Sequence, residues 1–250
     1  MNILLSGALG RMGQAVIRQS QARGDRVTAG VDIAWQNQPS PFPMAASFES
    51  VSASADVIID FSRPACLPGL LEYAQAHRLP AVLAATGYPP EAMAAIREAA
   101  RHIPLFQSAN MSLGIHVLKK LVAQAAALLG ESFDVEIVET HHNQKADAPS
   151  GTALALYHTL ESVYGPPREQ VNGRSGPACK RKPQEIGIHA LRGGTVPGIH
   201  EVGFYGADEI ITLTHTAQSR DIFALGALKA AAFLLNQPAG LYGMDELMGS

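Results

Sequence analysis

The 250-residue sequence predicts an α/β protein in which a doubly wound parallel sheet is followed by a mixed α+β unit. Three observations predict it. Over residues 1–111, short and almost wholly apolar runs alternate with stretches of helical length, the pattern of parallel strands covered on both faces. A glycine-spaced turn joins the first apolar run to the first helical stretch. Past residue 112 the alternation gives way to one long helix-period segment and then to several strand-like runs.

The elements follow in order. "NILLS", bounded by Gly7, reads as a buried strand, and Arg11 to Arg23 as a helix. "RVTAGVD" is a second strand ending at Asp32, and the Pro/Ser/Asn-rich "WQNQPSPFPMAAS" a surface loop. "DVIIDF" (Asp56–Phe61) is a third strand, with Ser62 as N-cap of a helix over about Pro64–His77. Pro80–Gly87 is a fourth strand, "PPEAMAAIREAARH" a helix with proline at its start, and Ile103–Asn110 a fifth strand. "SLGIHVLKKLVAQAAALLG" puts Leu113, Val117, Leu118, Leu121, Val122, Ala125, Leu128 and Leu129 on one helical face, and Gly130 ends that helix. Phe133–Thr140 is a strand and Gly151 to about Val163 a helix. Tyr164–Pro183, with Arg168, Arg174, Lys180, Arg181 and Lys182, reads as a solvated basic loop. "EIGIHALRGG", "HEVGFYG" and "EIITLTHTA" read as antiparallel strands. About Arg220–Asn236 is a helix apolar nearly all round, and therefore buried. The second unit runs from about Ser112 to Ser219.

Composition narrows the class. Hydrophobic residues make up 47% and charged residues 16%, as in a globular protein, and a net charge of −3 gives no long-range field for nucleic acid. The apolar runs fall short of a membrane span. "MNILLSGALG" has neither a basic leader region nor a cleavage site, and Cys66 and Cys179 form no CxxC, so both read as reduced thiols in a cytoplasmic protein.

The turn "SGALGRMG" places Gly7, Gly10 and Gly13 in GxxGxxG spacing. The first allows the tight turn, the second lets a pyrophosphate approach the backbone, and the third lets the helix lie close on the sheet. N–H groups at the helix start would hold the phosphates. Asp32, at the end of the next strand, can accept from ribose hydroxyls; its bland alternative is a loop-entry cap. Turn and acid in one βαβ unit make the first domain Rossmann-like. A 2′-phosphate would be repelled by Asp32, so NADH is the preferred cofactor, while Arg11 leaves NADPH within reach. Thr86, Ala109, Asn110 and Met111, at the carboxyl ends of the fourth and fifth strands, are candidates to touch the nicotinamide.

The densest chemistry lies in "ETHHNQKADAPSGTAL" (139–154). His141, His142 and Lys145 stand just past a strand end. Ser150 is placed to cap a helix, so the N–H groups of Gly151 and Thr152 would make an anion pocket, with Lys145 adding a charge and His142 a donor. That set suits a small dicarboxylate, and His141 can give up a proton near neutral pH. Adjacent histidines rarely face one ion, and no HExxH or cysteine cluster accompanies them, so no metal is expected.

With "GALGRMG", "DFSRP" (60–64), "ATGY" (85–88), "SANMSLGI" (108–115), "LRGGTVPGIHEVGFYGADEI" (191–210) and "HTAQSRDIFALGALKAAAFL" (215–234), this stretch resembles the 4-hydroxy-tetrahydrodipicolinate reductase family, formerly dihydrodipicolinate reductase, of the bacterial diaminopimelate and lysine pathway. The resemblance implies a dinucleotide-binding domain of 1–111 with 220–250, and a substrate-binding and tetramerisation domain of 112–219. It implies reduction, by a nicotinamide, of the cyclic imine formed when 4-hydroxy-tetrahydrodipicolinate loses water. His141 and Lys145 take the proton-transfer roles. His142, Lys145, Ser150, Gly151 and Thr152 hold the substrate. Gly7, Gly10, Arg11, Met12, Gly13 and Asp32 hold the cofactor, with Ala84, Ala85, Thr86, Ser108, Ala109, Asn110 and Met111 near its nicotinamide. The chain departs from the family's usual Gly-Thr-Thr-Gly at Ala84–Gly87, and Met111 stands where the family has an aromatic.

Two other readings differ in what they require. A non-catalytic nucleotide sensor would keep the glycine turn without needing the proton donor and anion pocket. A catalytically altered paralogue would be marked by Ala84 and Met111.

Overall fold

Ile3, Leu4 and Leu5 of β1 (Asn2–Ser6) and Val57, Ile58 and Ile59 of β4 (Val57–Asp60) are wholly buried. Strands buried on both faces need helices above and below, which parallel connections supply. The computed structural model describes residues 1–165 and 168–249. In it, β1 and β4 pair in parallel in a sheet completed by β2 (Arg26–Val31), β3 (Met44–Ala45), β5 (Ala81–Leu83), β6 (Pro104–Gln107) and β12 (Gly240–Tyr242). The order is β12-β6-β5-β4-β1-β2-β3, and every pairing is parallel. The direction of strand order reverses between β1 and β4, and ligands of such sheets bind outside the carboxyl ends at that point. Helices α1 (Arg11–Arg23), α2 (Leu67–His77), α3 (Pro90–Ala99) and α6 (Asp221–Leu234) belong to the same compact unit, Met1–Ser112 with the chain from Arg220 onward. As its composition requires, α6 buries Ala224, Ala227, Leu228, Ala230, Ala231 and Leu234.

Several elements differ from expectation. The fourth and fifth strands are shorter than the apolar runs. The Ala84 N–H still reaches the Asp60 carbonyl at 2.9 Å, and then the chain leaves the sheet. Ser62 does not cap a helix. Its N–H donates to Asp60 Oδ1 at 3.1 Å, and Pro64 holds Arg63 extended, so the chain enters α2 through a short 3₁₀ turn at Pro64–Cys66. The expected surface loop contributes β3, and β12 adds an edge strand beside β6; both are too short to carry a periodic signal.

The second unit, Leu113–Ser219, is built on a five-stranded sheet. Its strands are β7 (Asp134–His141), β8 (Glu169–Asn172), β9 (Glu185–Arg192), β10 (Gly198–Tyr205) and β11 (Ile210–Ala217), in the order β11-β10-β7-β9-β8. β10 is antiparallel to β7 and β11, but β9 runs parallel to β7 and β8. The all-antiparallel expectation fails because α5 (Gly151–Tyr164) lies between β7 and β9 and supplies the crossover that parallel pairing needs. Helix α4 (Leu113–Leu129) buries Ile115, Leu118, Val122 and Ala126. The face read from sequence is rotated from this one: Val117, Leu121 and Leu128 are exposed, the last at 88%. Leu113–Ser132 is also apolar and long enough, by composition alone, to cross a membrane, contrary to the expectation that no run approaches that length. One face of this helix instead joins the core formed by Val135, Ile137, Leu156 and Phe204.

The basic stretch 164–183 is not simply a solvated loop. It contains β8, and Arg174 and Arg181 are pinned to a half-buried carboxylate. Arg174 Nη1 donates to Glu136 Oε2 at 2.9 Å, Arg181 Nε to Glu136 Oε1 at 3.2 Å, and His189 Nε2 lies 2.7 Å from Glu136 Oε2. Burial works against the Glu136 charge, but the bonds from Arg174 and His189 outweigh it and hold the carboxyl below its ordinary value. Lys182, paired with Glu169, does remain solvated. Pro166 and Pro167 of the expected loop, and Ser250 at the end of the expected first domain, lie outside the described residues.

Candidate active site

In the first unit the glycine turn closes at the carboxyl end of β1. Gly7 has φ +77° and its N–H donates to the Val31 carbonyl at 2.8 Å; a Cβ there would stand 2.7 Å from the Phe61 carbonyl oxygen. A Cβ on Gly13 would strike the carbonyls of Gly7 and Ala8, so the first turn of α1 rests directly on the loop. Gly10 is different. It is the extended N-cap residue of α1, it is exposed, and a Cβ would meet only the Gly7 carbonyl at 3.2 Å. No side chain caps the helix here, which leaves its N-terminus presented to an anion, as a pyrophosphate cradle requires. Arg11 is exposed and Met12 half-buried in the same turn. Asp32 stands one residue past β2. Its Oδ2 accepts from the Leu9 N–H and its Oδ1 from the Ala34 N–H, both at 2.9 Å. The carboxylate therefore braces the glycine loop, and each oxygen keeps a second lone pair for a ribose hydroxyl.

At the ends of β5 and β6, Thr86 and Ala109 are exposed, whereas Ala84, Ala85 and Met111 are buried. Ser108 Oγ donates to the Asn110 carbonyl at 2.7 Å, and Asn110 Oδ1 accepts from the Ser112 N–H at 2.9 Å, which fixes that turn. The Met111 carbonyl packs against Gly226 of α6. Sequence reasoning missed Asp60, at the end of β4 and 1% exposed. Burial pushes its carboxyl up, against hydrogen bonds that include those of Ser62 and Tyr88; Tyr88 Oη stands 3.3 Å from Oδ2. The "DFSRP" motif contained this residue, but nothing in its spacing announced a buried acid.

In the second unit the chemistry sits at the end of β7. Alternate residues of that strand face the core, and after Val135 and Ile137 the same face presents Glu139 and His141. His141 is thus the last residue of a strand and 8% exposed, not a loop residue as expected, because β9 continues alongside it and pairs Arg192 with it. His141 Nδ1 lies 2.5 Å from Glu139 Oε2. Arg192, opposite His141 on β9, donates from Nη1 to Oε2 at 2.9 Å and from Nη2 to Oε1 at 2.8 Å of the same carboxylate. The Ser150 N–H adds a bond to Oε1 at 3.0 Å. Burial opposes the Glu139 charge, but the bonds from Arg192, His141 and Ser150 prevail and keep the carboxyl below its ordinary value.

Ser150 caps α5 as its sequence position predicts, with Oγ accepting from the Ala153 N–H at 3.2 Å. The amides of Gly151 and Thr152 open that helix, ahead of the first i→i−4 bond from Leu154 to Ser150. The Ser150 hydroxyl also lies 3.2 Å from Nε2 of His200, whose ring meets that of His141 edge-on at 5.1 Å. Burial first, and then the neighbouring His141, push His200 down to about 4, so it is neutral at physiological pH. His142 turns into the loop, its N–H donating to the Val196 carbonyl at 2.8 Å. Lys145 Nζ reaches both oxygens of Asp147, at 2.8 and 2.9 Å. One end of one sheet therefore gathers His141, Ser150 and the start of α5, with His142 and Lys145 in the loop that joins them. Sequence reasoning missed Glu139, Arg192 and His200. Glu139 was separable only by noticing that it shares strand parity with His141.

Residues 1–111 match the family described as dihydrodipicolinate reductase, N-terminus, and residues 114–248 match its C-terminus. The chain belongs to the dihydrodipicolinate reductase family. A 4-hydroxy-tetrahydrodipicolinate reductase of Caldanaerobacter subterraneus subsp. tengcongensis is 47% identical to it over 99% of this chain and 98% of its own length. The enzyme of that name from Clostridium tetani is 44% identical over 100% and 98%. Among solved structures, the dipicolinate-bound dihydrodipicolinate reductase of Paenisporosarcina sp. TG-14 shares the fold, with a TM-score of 0.80 at 23% identity over 98% of each chain. A probable dehydrogenase of Thermotoga maritima aligns at a TM-score of 0.60 and 10% identity, over 99% of this chain and 93% of its own. Dihydrodipicolinate reductase family membership brings with it a Rossmann-type fold and a nicotinamide cofactor, and it does not favour the non-catalytic sensor.

Proposed function

We propose that this chain reduces the dehydrated imine of 4-hydroxy-tetrahydrodipicolinate to tetrahydrodipicolinate, with NADH as the preferred reductant. The observation that carries the reading is the setting of His141: a buried imidazole on an ionised carboxylate, at the end of a strand that leads into Lys145 and the N-terminus of α5. Bound reduced nicotinamide supplies a hydride. The remaining demands fall on the chain. Hydride addition to a conjugated imine leaves electron density that one proton must quench, and His141 is the donor, with Lys145 able to share the task. Two carboxylates must be held while that charge develops. Lys145, His142, the Ser150 hydroxyl and the amides of Gly151 and Thr152 form the cationic and dipolar set that holds them. Gly7, Gly10, Arg11, Met12 and Gly13 line the pyrophosphate, Asp32 takes the adenosine ribose, and the turns at 84–86 and 108–111 border the nicotinamide. Asp32 disfavours a 2′-phosphate, and its brace on Leu9 keeps that charge at the mouth of the cradle.

We further propose that the second unit assembles the chain into a homotetramer in the cytoplasm. The apolar outer stripe of α4 (Val117, Leu121, Leu128) and Ile210 on the edge strand β11 support this, since a lone subunit would leave them in water.

The test is oxidation of NADH and NADPH by the purified protein, supplied with freshly generated 4-hydroxy-tetrahydrodipicolinate. Turnover with both, faster with NADH, is the expected result. Tight NADH binding with no turnover would overturn the assignment and favour the altered paralogue.

A further inference from the structure

A buried acid–base pair beside the expected substrate pocket raises the question of which imidazole nitrogen does the work. Four hydrogen bonds fix the answer. Arg192 and the Ser150 amide can only donate, and they occupy both oxygens of Glu139. The Glu139 carboxyl is held ionised, so it can only accept. Nδ1 of His141, at 2.5 Å, must therefore carry the hydrogen. That leaves Nε2 as the atom that gains and loses a proton. It lies beside Gly198, the first residue of β10, where a Cβ would crowd it at 3.1 Å, so the glycine leaves room at that edge of the ring. His200, the other imidazole of the cluster, is neutral, and its buried Nδ1 has no hydrogen-bond partner. Of these two imidazoles, it is His141 that has a carboxylate in place to balance an imidazolium.

We propose that Glu139 is a positioning residue for the reaction: clamped by Arg192, it holds Nδ1 of His141 protonated and so makes Nε2 the single proton-exchanging atom that faces the ligand. The inference rests on His141 being the proton donor. In the donation step the Nε2–H bond breaks, its proton passes to the electron-rich product of hydride addition, and the imidazole is left neutral with hydrogen on Nδ1.

The first test uses the unmodified protein. With ¹⁵N-labelled histidine, the His141 signals are identified by their loss in His141→Gln. The expected spectrum of the neutral ring shows Nδ1 protonated and Nε2 bare; the opposite tautomer, or a mixture, would overturn the proposal whatever the enzyme's activity. The second test is Glu139→Gln. It should lower kcat at least about 10-fold, less than the roughly 100-fold that losing a general acid itself costs, because the donor is misplaced and not removed, with KM for NADH changed less than about 3-fold. A folded Glu139→Gln with wild-type kcat would also overturn it. If His141→Gln itself kept full turnover while the tautomer was as expected, the proton-donor reading would fail separately.

Discussion

The ammonium of Lys145 is held by Asp147, with Nζ 2.8 and 2.9 Å from the two carboxylate oxygens. This lysine is also the cation assigned to the substrate. Asp147 is 60% exposed, and exposed pairs of this kind contribute roughly 0–1 kcal/mol, so a substrate carboxylate can take over the ammonium at little cost. Lys145 is thereby kept within its loop before substrate arrives, without being sequestered.

Two substitutions separate these roles. Lys145→Met removes the charge proposed to hold the dicarboxylate and should lower kcat/KM at least about 100-fold, comparable to losing an anion-stabilising donor. Asp147→Asn only releases the lysine, and should change KM for the substrate by no more than about 5-fold in steady-state assays, as the weakness of the exposed pair implies. A larger loss in Asp147→Asn would mean that the aspartate itself contacts the reaction.

The three glycines of the first turn should respond differently to alanine. Gly13→Ala drives a Cβ into the Gly7 and Ala8 carbonyls, and Gly7→Ala combines a positive φ with a 2.7 Å contact to the Phe61 carbonyl; each should destabilise by about 1–3 kcal/mol in thermal or urea unfolding. Gly10→Ala meets one backbone atom at 3.2 Å, a tight contact but not a clash, so its midpoint should fall less than that of either other variant. Because Gly10 lies at the exposed start of α1, where a pyrophosphate would approach the backbone, the Kd of the variant for NADH, measured by fluorescence titration, should rise about 10-fold or more.

Asp32 supplies a check on cofactor choice. Asp32→Asn keeps one acceptor oxygen but removes the charge. The ratio of kcat/KM for NADPH to that for NADH should rise about 10-fold, the effect of removing roughly one unit of close like-charge repulsion at an exposed site. The midpoint should drop slightly, since one of the bonds to Leu9 and Ala34 is lost. No change in the ratio would show that Asp32 acts only as the loop brace.

Much of this architecture was legible in the sequence because each signal was local. The apolar runs of β1 and β4, the GxxGxxG turn and the Ser-Gly-Thr start of α5 are contiguous features governed by periodicity and capping. What escaped depended on distant partners. The parallel direction of β9 comes from a crossover, not from its own residues. The pinning of Arg174 and Arg181 depends on Glu136, about forty residues away. The clamp on His141 depends on Arg192, 53 residues beyond Glu139. The buried stripe of α4 was misjudged because that helix is apolar on more than one face, so periodicity could not choose which faces the sheet.

The exposed stripe leads to a further expectation. A Leu121→Asp, Ile210→Asp double variant places charges on the outer face of α4 and on edge strand β11. Light scattering should give a tetramer for the parent chain and smaller species for the variant. A monomeric parent would remove the assembly from the proposal and leave those side chains unexplained.

Acid should weaken the second unit in two stages. His200 has a folded pKa of about 4 against an ordinary 6.5. The unfolded chain therefore binds this proton first, so the stability from keeping His200 neutral is complete above about pH 6.5 and is lost as pH falls toward 4, amounting to about 3 kcal/mol at most. Glu136 and Glu139 are held below their ordinary values, so the stability they contribute is present above the ordinary carboxylate range and disappears on further acidification. Urea unfolding measured from pH 7 to pH 4 should show a steady decline that His200→Gln flattens, because the substitute does not titrate. An equally steep decline in that variant would place the acid sensitivity elsewhere, with His215, which burial also pushes down, the next group to replace.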